Sequence, residues 1–408
     1  MKNSLPTESD LLKVTALTDH ICPSCFSKGM RGFHELEKVP VHSVLNMRTR
    51  ETALTYPRGD ISLGFCQDCG FISNVAFNAA MLEYSSNCEE SQGFSLTFNA
   101  FARRLATYLI NKYDLYNKNI LEIGCGKGEF LTLLSELGEN RGIGFDPAYV
   151  DGRNRSKARH QVTFIKDFYS EKYASYESDL VCCRMTLEHI HDTANFVSMV
   201  RRSIGNRENT IVFFQVPDVT RILRDCAFED IYYEHCSYFS PGSLARLFRK
   251  CGFDVIHLER EYNDQYLMIE AIPWAGGVPT ELPLENDLEK LRGYVESFHE
   301  NFQRKLHFWN LKLDEIKADG RRAVVWGSGS KGVAFLTTLR VYDAIEYVVD
   351  INPFRQGAYM AGTGQEVVAP DFLKEYEPDT VILMNPIYSS EIRENLTILG
   401  LNPEVIEV

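Results

Sequence analysis

The stretch Leu121-Glu122-Ile123-Gly124-Cys125-Gly126-Lys127-Gly128-Glu129-Phe130 reads as a buried strand, a glycine turn and a helix start, the pattern of a loop for a nucleotide-type cofactor. An acid stands two positions before the first glycine, and Gly124, Gly126 and Gly128 recur at every second position. A dinucleotide loop spaces its glycines differently. The pattern favours S-adenosylmethionine (SAM), which carries a sulfonium and an amino acid but no phosphate, so the loop need only let the backbone approach closely. Glu122 then supplies negative charge near a cationic cofactor.

Two further strand-like runs follow and each ends in an acid. Gly142-Ile143-Gly144-Phe145-Asp146 places a carboxylate about 20 residues beyond the glycines, where a ribose-binding acid is expected. Val162-Thr163-Phe164-Ile165-Lys166-Asp167 places Asp167 to accept the adenine amine. Beyond them, Asp179 to Arg184, Thr210 to Pro217, Phe253 to Leu258 and Gln265 to Ala271 read as strands, with helices over 98–110 and 243–249. Strands alternating with helical stretches predict an α/β fold with a mainly parallel, doubly wound, Rossmann-like sheet, whose ligands sit beyond the carboxyl ends of the strands. Cys182 and Cys183 read as small core residues within the fourth strand. In the loop after it, Glu188, His189 and His191 shape the cofactor pocket or, less in keeping with the pattern, act as a base.

Upstream, Cys22-Pro23-Ser24-Cys25 and Cys66-Gln67-Asp68-Cys69 form two CxxC turns. Brought together, they offer the tetrahedral set of thiolates that Zn2+ favours, with no position open to substrate, so the metal is structural. His20 and His34 flank the cluster and read as surface histidines. The 11 cysteines, odd in number, and the polar start Met1-Lys2-Asn3-Ser4, unlike a signal peptide, predict reduced thiols in the cytoplasm. A formal charge of -13 speaks against nucleic acid as partner, and no apolar run is long enough for a membrane span, which points to a small-molecule substrate. The oligomeric state stays open.

The segment Ile231-Tyr232-Tyr233-Glu234-His235-Cys236-Ser237-Tyr238-Phe239-Ser240 crowds phenols, a carboxylate, an imidazole and a thiol after the fifth strand. His235 is the general-base candidate, because an imidazole accepts a proton at neutral pH. Glu234 or a neighbour orients it. The alternative is that the aromatics are packing residues and His235 a hydrogen-bonded core histidine.

Further on, residues 282–317 carry Leu288, Leu291, Val295, Phe298, Phe302 and Leu306 at helical spacing, predicting a long amphipathic helix that braces domains. Then Ala323-Val324-Val325-Trp326-Gly327-Ser328-Gly329-Ser330-Lys331-Gly332 gives a strand and a GxGxxG. Taken alone it is a dinucleotide fingerprint, and the rival reading is an NAD-binding oxidoreductase. The roughly 90 residues after the helix suffice for one mononucleotide-binding half, so the loop is read as a substrate-phosphate site through Gly327, Gly329 and Lys331, or as purely structural. Asn352, Pro353, Asn385 and Tyr388 join it as contributors to a sugar pocket.

The order of a four-cysteine knuckle, a class I SAM loop, a Tyr-x-Glu-His-x-Ser-Tyr-Phe-Ser segment and a C-terminal half-Rossmann unit resembles the three-domain sugar C-methyltransferase family. The resemblance spans nearly the whole chain and divides it into a zinc domain (1–82), a class I SAM methyltransferase domain (83–276), a linking helix (277–318) and a C-terminal substrate domain (319–408). It implies methylation of the ring carbon beside the ketone of a nucleotide-linked keto-deoxysugar, with Tyr232 and His235 serving the reaction and Glu234 beside them. His235 would then be the base and Tyr232 would hold the enolate. The chain departs from the pattern at Tyr233, Cys236, Gln215 and the stretch 384–388, and the last two bear more on substrate than on cofactor. SAM-dependent methylation of oxygen or nitrogen is the alternative, with His235 deprotonating a hydroxyl.

Overall fold

Alternating burial explains why the strands after residue 119 read as continuous apolar runs. In the computed structural model, which describes residues 16–153 and 156–408, Leu121, Ile123, Val181, Cys183, Val212 and Phe214 pack on one face of the central sheet. Ile120, Leu180, Cys182 and Phe213 pack on the other, so every position of these strands meets a helix layer. The polar start Met1 to Ser4 lies outside the described residues.

The amino-terminal strands are β1 (Ala16–Ile21), β2 (Lys28–Pro40), β3 (Arg58–Cys66) and β4 (Ile72–Asn74). The middle of the chain gives β5 (Asn119–Ile123), β6 (Arg141–Phe145), β7 (Val162–Ile165), β8 (Leu180–Arg184), β9 (Ile211–Pro217), β10 (Ser237–Tyr238), β11 (Phe253–Glu261) and β12 (Tyr266–Pro273). The last third gives β13 (Ala323–Trp326), β14 (Tyr347–Val349), β15 (Glu366–Val368), β16 (Thr380–Leu383) and β17 (Glu404–Glu407).

The central seven-stranded sheet has the order β11-β12-β9-β8-β5-β6-β7. Strands β5 to β9 are parallel, and β12 runs antiparallel between β9 and β11. Reversal at β5 and β8, the strands that start from the centre in opposite directions, opens a crevice at their carboxyl ends. The third sheet, β15-β14-β13-β16-β17, is parallel throughout. Strands β13 to β15 form the expected half-Rossmann unit, and β16 and β17 extend it on the far side of β13. A second crevice therefore lies beside β13, where the glycines 327–332 follow the strand.

The amino-terminal sheet, β1-β2-β3-β4-β10, is antiparallel, and its last strand comes from the segment that carries His235. The helix Leu288–Ala318 buries Leu291, Val295, Phe298, Phe302, Trp309, Leu313 and Ile316, at the three- and four-residue spacing of one helical face. Its apolar stripe joins a single core with Phe33 and Phe65 of the first sheet, Phe228 and Tyr233 of the middle segment, and Val325 and Phe335 of the last. His34, expected at the surface, is instead buried on β2 between the rings of Phe298 and Phe302, at 5.0 and 4.6 Å. Burial pushes its pKa down to about 3, leaving it a neutral ring in an aromatic stack. His20 is exposed.

Candidate active site

The glycine turn closes as the sequence demands. Gly124 and Gly128 have φ of +68° and +79°, and a Cβ on either would fall 2.0 Å from Thr186 Oγ1 or 2.3 Å from Phe164 Cζ. Only glycine fits both positions. The Gly126 N–H donates to Asp146 Oδ2 at 2.8 Å, and the Ala148 N–H to Oδ1 at 2.7 Å, so the acid after β6 is fastened directly to the loop. Glu122 is buried beneath it, with Oε2 lacking a hydrogen-bond partner among the described residues. Desolvation pushes its carboxyl up to about 7, despite nearby Arg184. Asp167 lies apart from these groups: it is held by Lys172 at 2.5 Å and Tyr173 at 2.7 Å at the edge of the sheet.

Lys127, inside the loop, shows what local motif reading passes over. It is buried, donates to the Cys88 and Ala148 carbonyls at 2.8 and 3.0 Å, and pairs with Glu90 at 3.3 Å. The strap 88–92 is thereby clasped over the glycines.

The aromatic and polar segment before β10 does bring its tyrosine and histidine together. The Tyr232 hydroxyl and His235 Nε2 share a hydrogen bond of 2.8 Å. His235 is buried, and desolvation holds its pKa well below 6.5, with His189 adding to the effect, so the imidazole is neutral and free to accept a proton. Its Nδ1 has no partner among the described residues. The His189 ring stands edge-on to it at 4.9 Å, while His191 turns away toward Phe77.

Glu234 does not orient His235. Its carboxylate points the other way, accepting from His42 Nδ1 at 2.8 Å, from the Ser43 N–H at 2.8 Å and from the Ser43 hydroxyl. His42 Nε2 accepts the Glu83 N–H at 2.8 Å, which fixes its proton on Nδ1. Burial opposes ionisation of Glu234, but these hydrogen bonds outweigh it and hold the acid below its usual range. The residue is a clamp between the segment before β10 and the chain that follows β2. Tyr233, Tyr238 and Phe239 are packing residues, all buried.

Tyr232 and His235 form one wall of a cavity of about 270 Å³ between the middle and last sheets. Gly327, Gly329, Lys331, Asn385 and Tyr388 line the facing side, together with Asn352. Asn385 is already paired through both amide atoms with Gln265, at 3.0 and 2.9 Å, and the Tyr388 hydroxyl bridges Tyr262 and Gln92 at 3.0 Å each. These two residues thus join the domains as much as they face the cavity. Pro353 is exposed and does not line it. Lys331 Nζ lies 2.5 Å from Asp230 Oδ2, and Arg221 Nη1 reaches the same oxygen at 2.5 Å. Burial works against the Asp230 charge, yet the two cations hold its pKa below the usual range. Glu229 adds a second carboxylate 4.0 Å from Arg221, so the two cations are balanced by acids, and Lys331 stands at the cavity wall next to backbone amides at a helix start. Arg221 and Asp230 escaped motif reading because they belong to no motif; Asp230 is revealed by its contact with Lys331, 101 positions away in sequence, and Arg221 by its contact with Asp230.

At the amino terminus, the four cysteine sulfurs lie within 4.8 Å of one another, with Cys22 to Cys69 at 3.7 Å and Cys25 to Cys66 at 3.5 Å.

Residues 96–258 match the family described as a methyltransferase domain, and residues 284–400 match the family described as a C-methyltransferase C-terminal domain. The chain is a SAM-dependent methyltransferase. Among curated proteins, it is similar to C-methyltransferase NovU of Streptomyces niveus, 25% identical over 314 residues and covering 72% of each chain. Solved structures similar to it include the magnesium protoporphyrin IX methyltransferase ChlM of Synechocystis PCC 6803 (14% identity, TM-score 0.35, 44% of this chain and 84% of that one). A second is the 1,6-didemethyltoxoflavin-N1-methyltransferase of Burkholderia thailandensis (16% identity, TM-score 0.34, 45% and 82%).

The residues of this turn fit such a cofactor: its glycines bring no side chains to hold a ligand off, and Glu122 adds a buried carboxyl that suits a cationic one. Gly128→Ala is therefore expected to raise the SAM dissociation constant by about tenfold or more, since a side chain at that φ costs about 1–3 kcal/mol before the clash with Phe164 is counted. Equilibrium titration with SAM measures it, and an unchanged constant would place the cofactor elsewhere.

Proposed function

We propose that this methyltransferase transfers its methyl group to the carbon beside the ketone of a nucleotide-linked keto-deoxysugar or a closely related keto substrate. One observation carries the reading: a single cavity is walled on one side by the Tyr232–His235 pair and on the other by a glycine loop at a helix start that carries Lys331. The first suits proton abstraction and the second suits a phosphate. The C-terminal domain match and the name of the NovU relative support carbon as the acceptor.

A carbon-bound proton is acidic only alpha to a carbonyl, so the site must both remove it and hold the resulting oxyanion. His235, neutral and buried, takes the proton. The Tyr232 O–H, kept protonated by burial, donates to the enolate oxygen. Bound SAM supplies the methyl group. Gly327, Gly329 and Lys331 hold the phosphates and thereby fix the reacting carbon, with Asn385 and Tyr388 setting the sugar end. Glu122, Gly124, Gly126, Gly128 and Asp146 seat the cofactor. Asp167 reaches the adenine from the sheet edge once freed from Lys172.

We further propose that Cys22, Cys25, Cys66 and Cys69 hold a structural zinc ion, because tetrahedral coordination at the usual Zn–S length separates sulfurs by about 3.8 Å, close to the spacing present. The domain limits 82/83, 276/277 and 318/319 follow from the same reading. A cytoplasmic location is supported by the free state of all 11 cysteines, and none of the described helices is long and apolar enough to cross a membrane.

Incubation with methyl-labelled SAM and a panel of nucleotide-linked keto sugars, followed by location of the label, tests the reading. A new carbon–carbon bond beside the ketone is expected. A methyl ether or methylamine product would replace it with oxygen or nitrogen transfer.

A further inference from the structure

Glu188 has no part in the chemistry above, yet its surroundings are those of a working group. It is 1% exposed, and neither carboxylate oxygen has a hydrogen-bond partner among the described residues. Buried polar atoms are nearly always paired, so such an exception calls for a cause. The cause lies close by: Glu188 Oε1 is 4.0 Å from His235 Nε2, and His235 Nδ1 is a second orphan in the same pocket. The nitrogen nearest Glu188 is Nε2, the one that shares the Tyr232 hydrogen bond, so a ring that gains a proton becomes a cation within 4.0 Å of the carboxylate.

The groups around this acid come from four elements. Cys183 faces it from β8, and His189 from its own turn. Tyr232, His235 and Cys236 face it from the catalytic segment, the Cys236 N–H donating to the Glu188 carbonyl at 3.0 Å. Tyr84 faces it from the stretch that precedes the strap. None of these is a lysine or an arginine, so the cations this set can supply are imidazolium rings, and His235 is the one that also holds Tyr232 and lines the cavity.

We propose that Glu188 is the positioning residue of the base: as a carboxylate, it receives and balances the imidazolium that forms when His235 takes the substrate proton. This rests on the reading of His235 as the base. In the step, the carbon–hydrogen bond beside the ketone breaks, its proton passes to an imidazole nitrogen, and its electron pair becomes the enolate held by the Tyr232 hydroxyl. Glu188 neither gains nor loses a proton. It turns the formation of a lone buried cation, which is costly, into the formation of an ion pair.

The resting state fits. Burial pushes the Glu188 carboxyl up to about 8 and keeps His235 neutral, so the pair carries no charge until the acid ionises. Because the raised acid loses its charge as pH falls through about 8, support for the imidazolium is present above that pH and withdrawn below it. Turnover is expected to rise with pH along that limb.

The test uses Glu188→Gln and Glu188→Asp in the full-length protein, with two readouts. Imidazole nitrogen NMR follows the His235 titration with no acceptor present. Exchange of the acceptor's alpha proton into D2O, measured without SAM across pH 6 to 10, follows the base. For Glu188→Gln we expect exchange about ten- to a hundredfold slower, the limb near pH 8 gone, the His235 titration displaced, and SAM affinity unchanged; Glu188→Asp should recover part of both rate and limb. An unmoved His235 titration in Glu188→Gln would overturn the proposal, as would a uniform loss at every pH shared by both variants, the mark of a structural role. If the titrations are coupled but no keto compound exchanges its proton, the pairing stands and the acceptor assignment fails.

Discussion

His235→Ala is expected to lower turnover by about a hundredfold or more while leaving SAM affinity unchanged, the size usual for removal of a general base. The separation of effects follows from placement. The proposed cofactor cradle lies in the turn after β5 and the end of β6, whereas His235 stands on the segment before β10 and touches Tyr232 and His189 rather than the glycines. The alanine variant also strips the Tyr232 hydroxyl of its 2.8 Å partner, so the enolate donor loses its orientation along with the base. Single-turnover rates and SAM titration on the same preparation measure both halves of the expectation. Turnover at the wild-type level would move the base to another residue, and lost SAM binding would mean that His235 supports the cofactor.

Cys66→Ser is expected to release the metal and to unfold the amino-terminal sheet, at a loss of several kcal/mol, given that structural zinc contributes about 10–16 kcal/mol to small domains of this kind. Cys66 ends β3, and its N–H and carbonyl hold the turn to Phe71 and Gly70 at 2.8 and 2.9 Å. The damage should not stay local. His42 and Ser43 follow β2 and hold Glu234, one residue from the base, so turnover should fall as well. Metal analysis, thermal unfolding and turnover check the three parts. An unchanged zinc content would count against the four-sulfur site.

What the sequence revealed and what it hid divide by the range of the interactions. The glycine turn, the acid after β6, the CxxC pairs and the apolar stripe of the long helix each depend on residues within a few positions of one another, where period and spacing carry the information. The fate of Glu234 depends on His42, 192 positions away, and the same holds for Lys331 with Asp230 and for Asn385 with Gln265. No local pattern encodes those pairs. His34 misled for a related reason: the aromatic rings that bury it arrive from the helix Leu288–Ala318, more than 250 positions away. Asp146 was legible as a strand-end acid, but its grip on the Gly126 N–H required the two turns to be seen side by side.

The loan of β10 to the cysteine-bearing sheet has a practical side. Ser237 and Tyr238 form backbone bonds with Ser73 and Ile72, so a fragment begun after residue 82 would keep this strand and discard its mate. The bare amides and carbonyls left behind invite pairing between molecules, and the truncated protein should clump rather than survive as a smaller working enzyme.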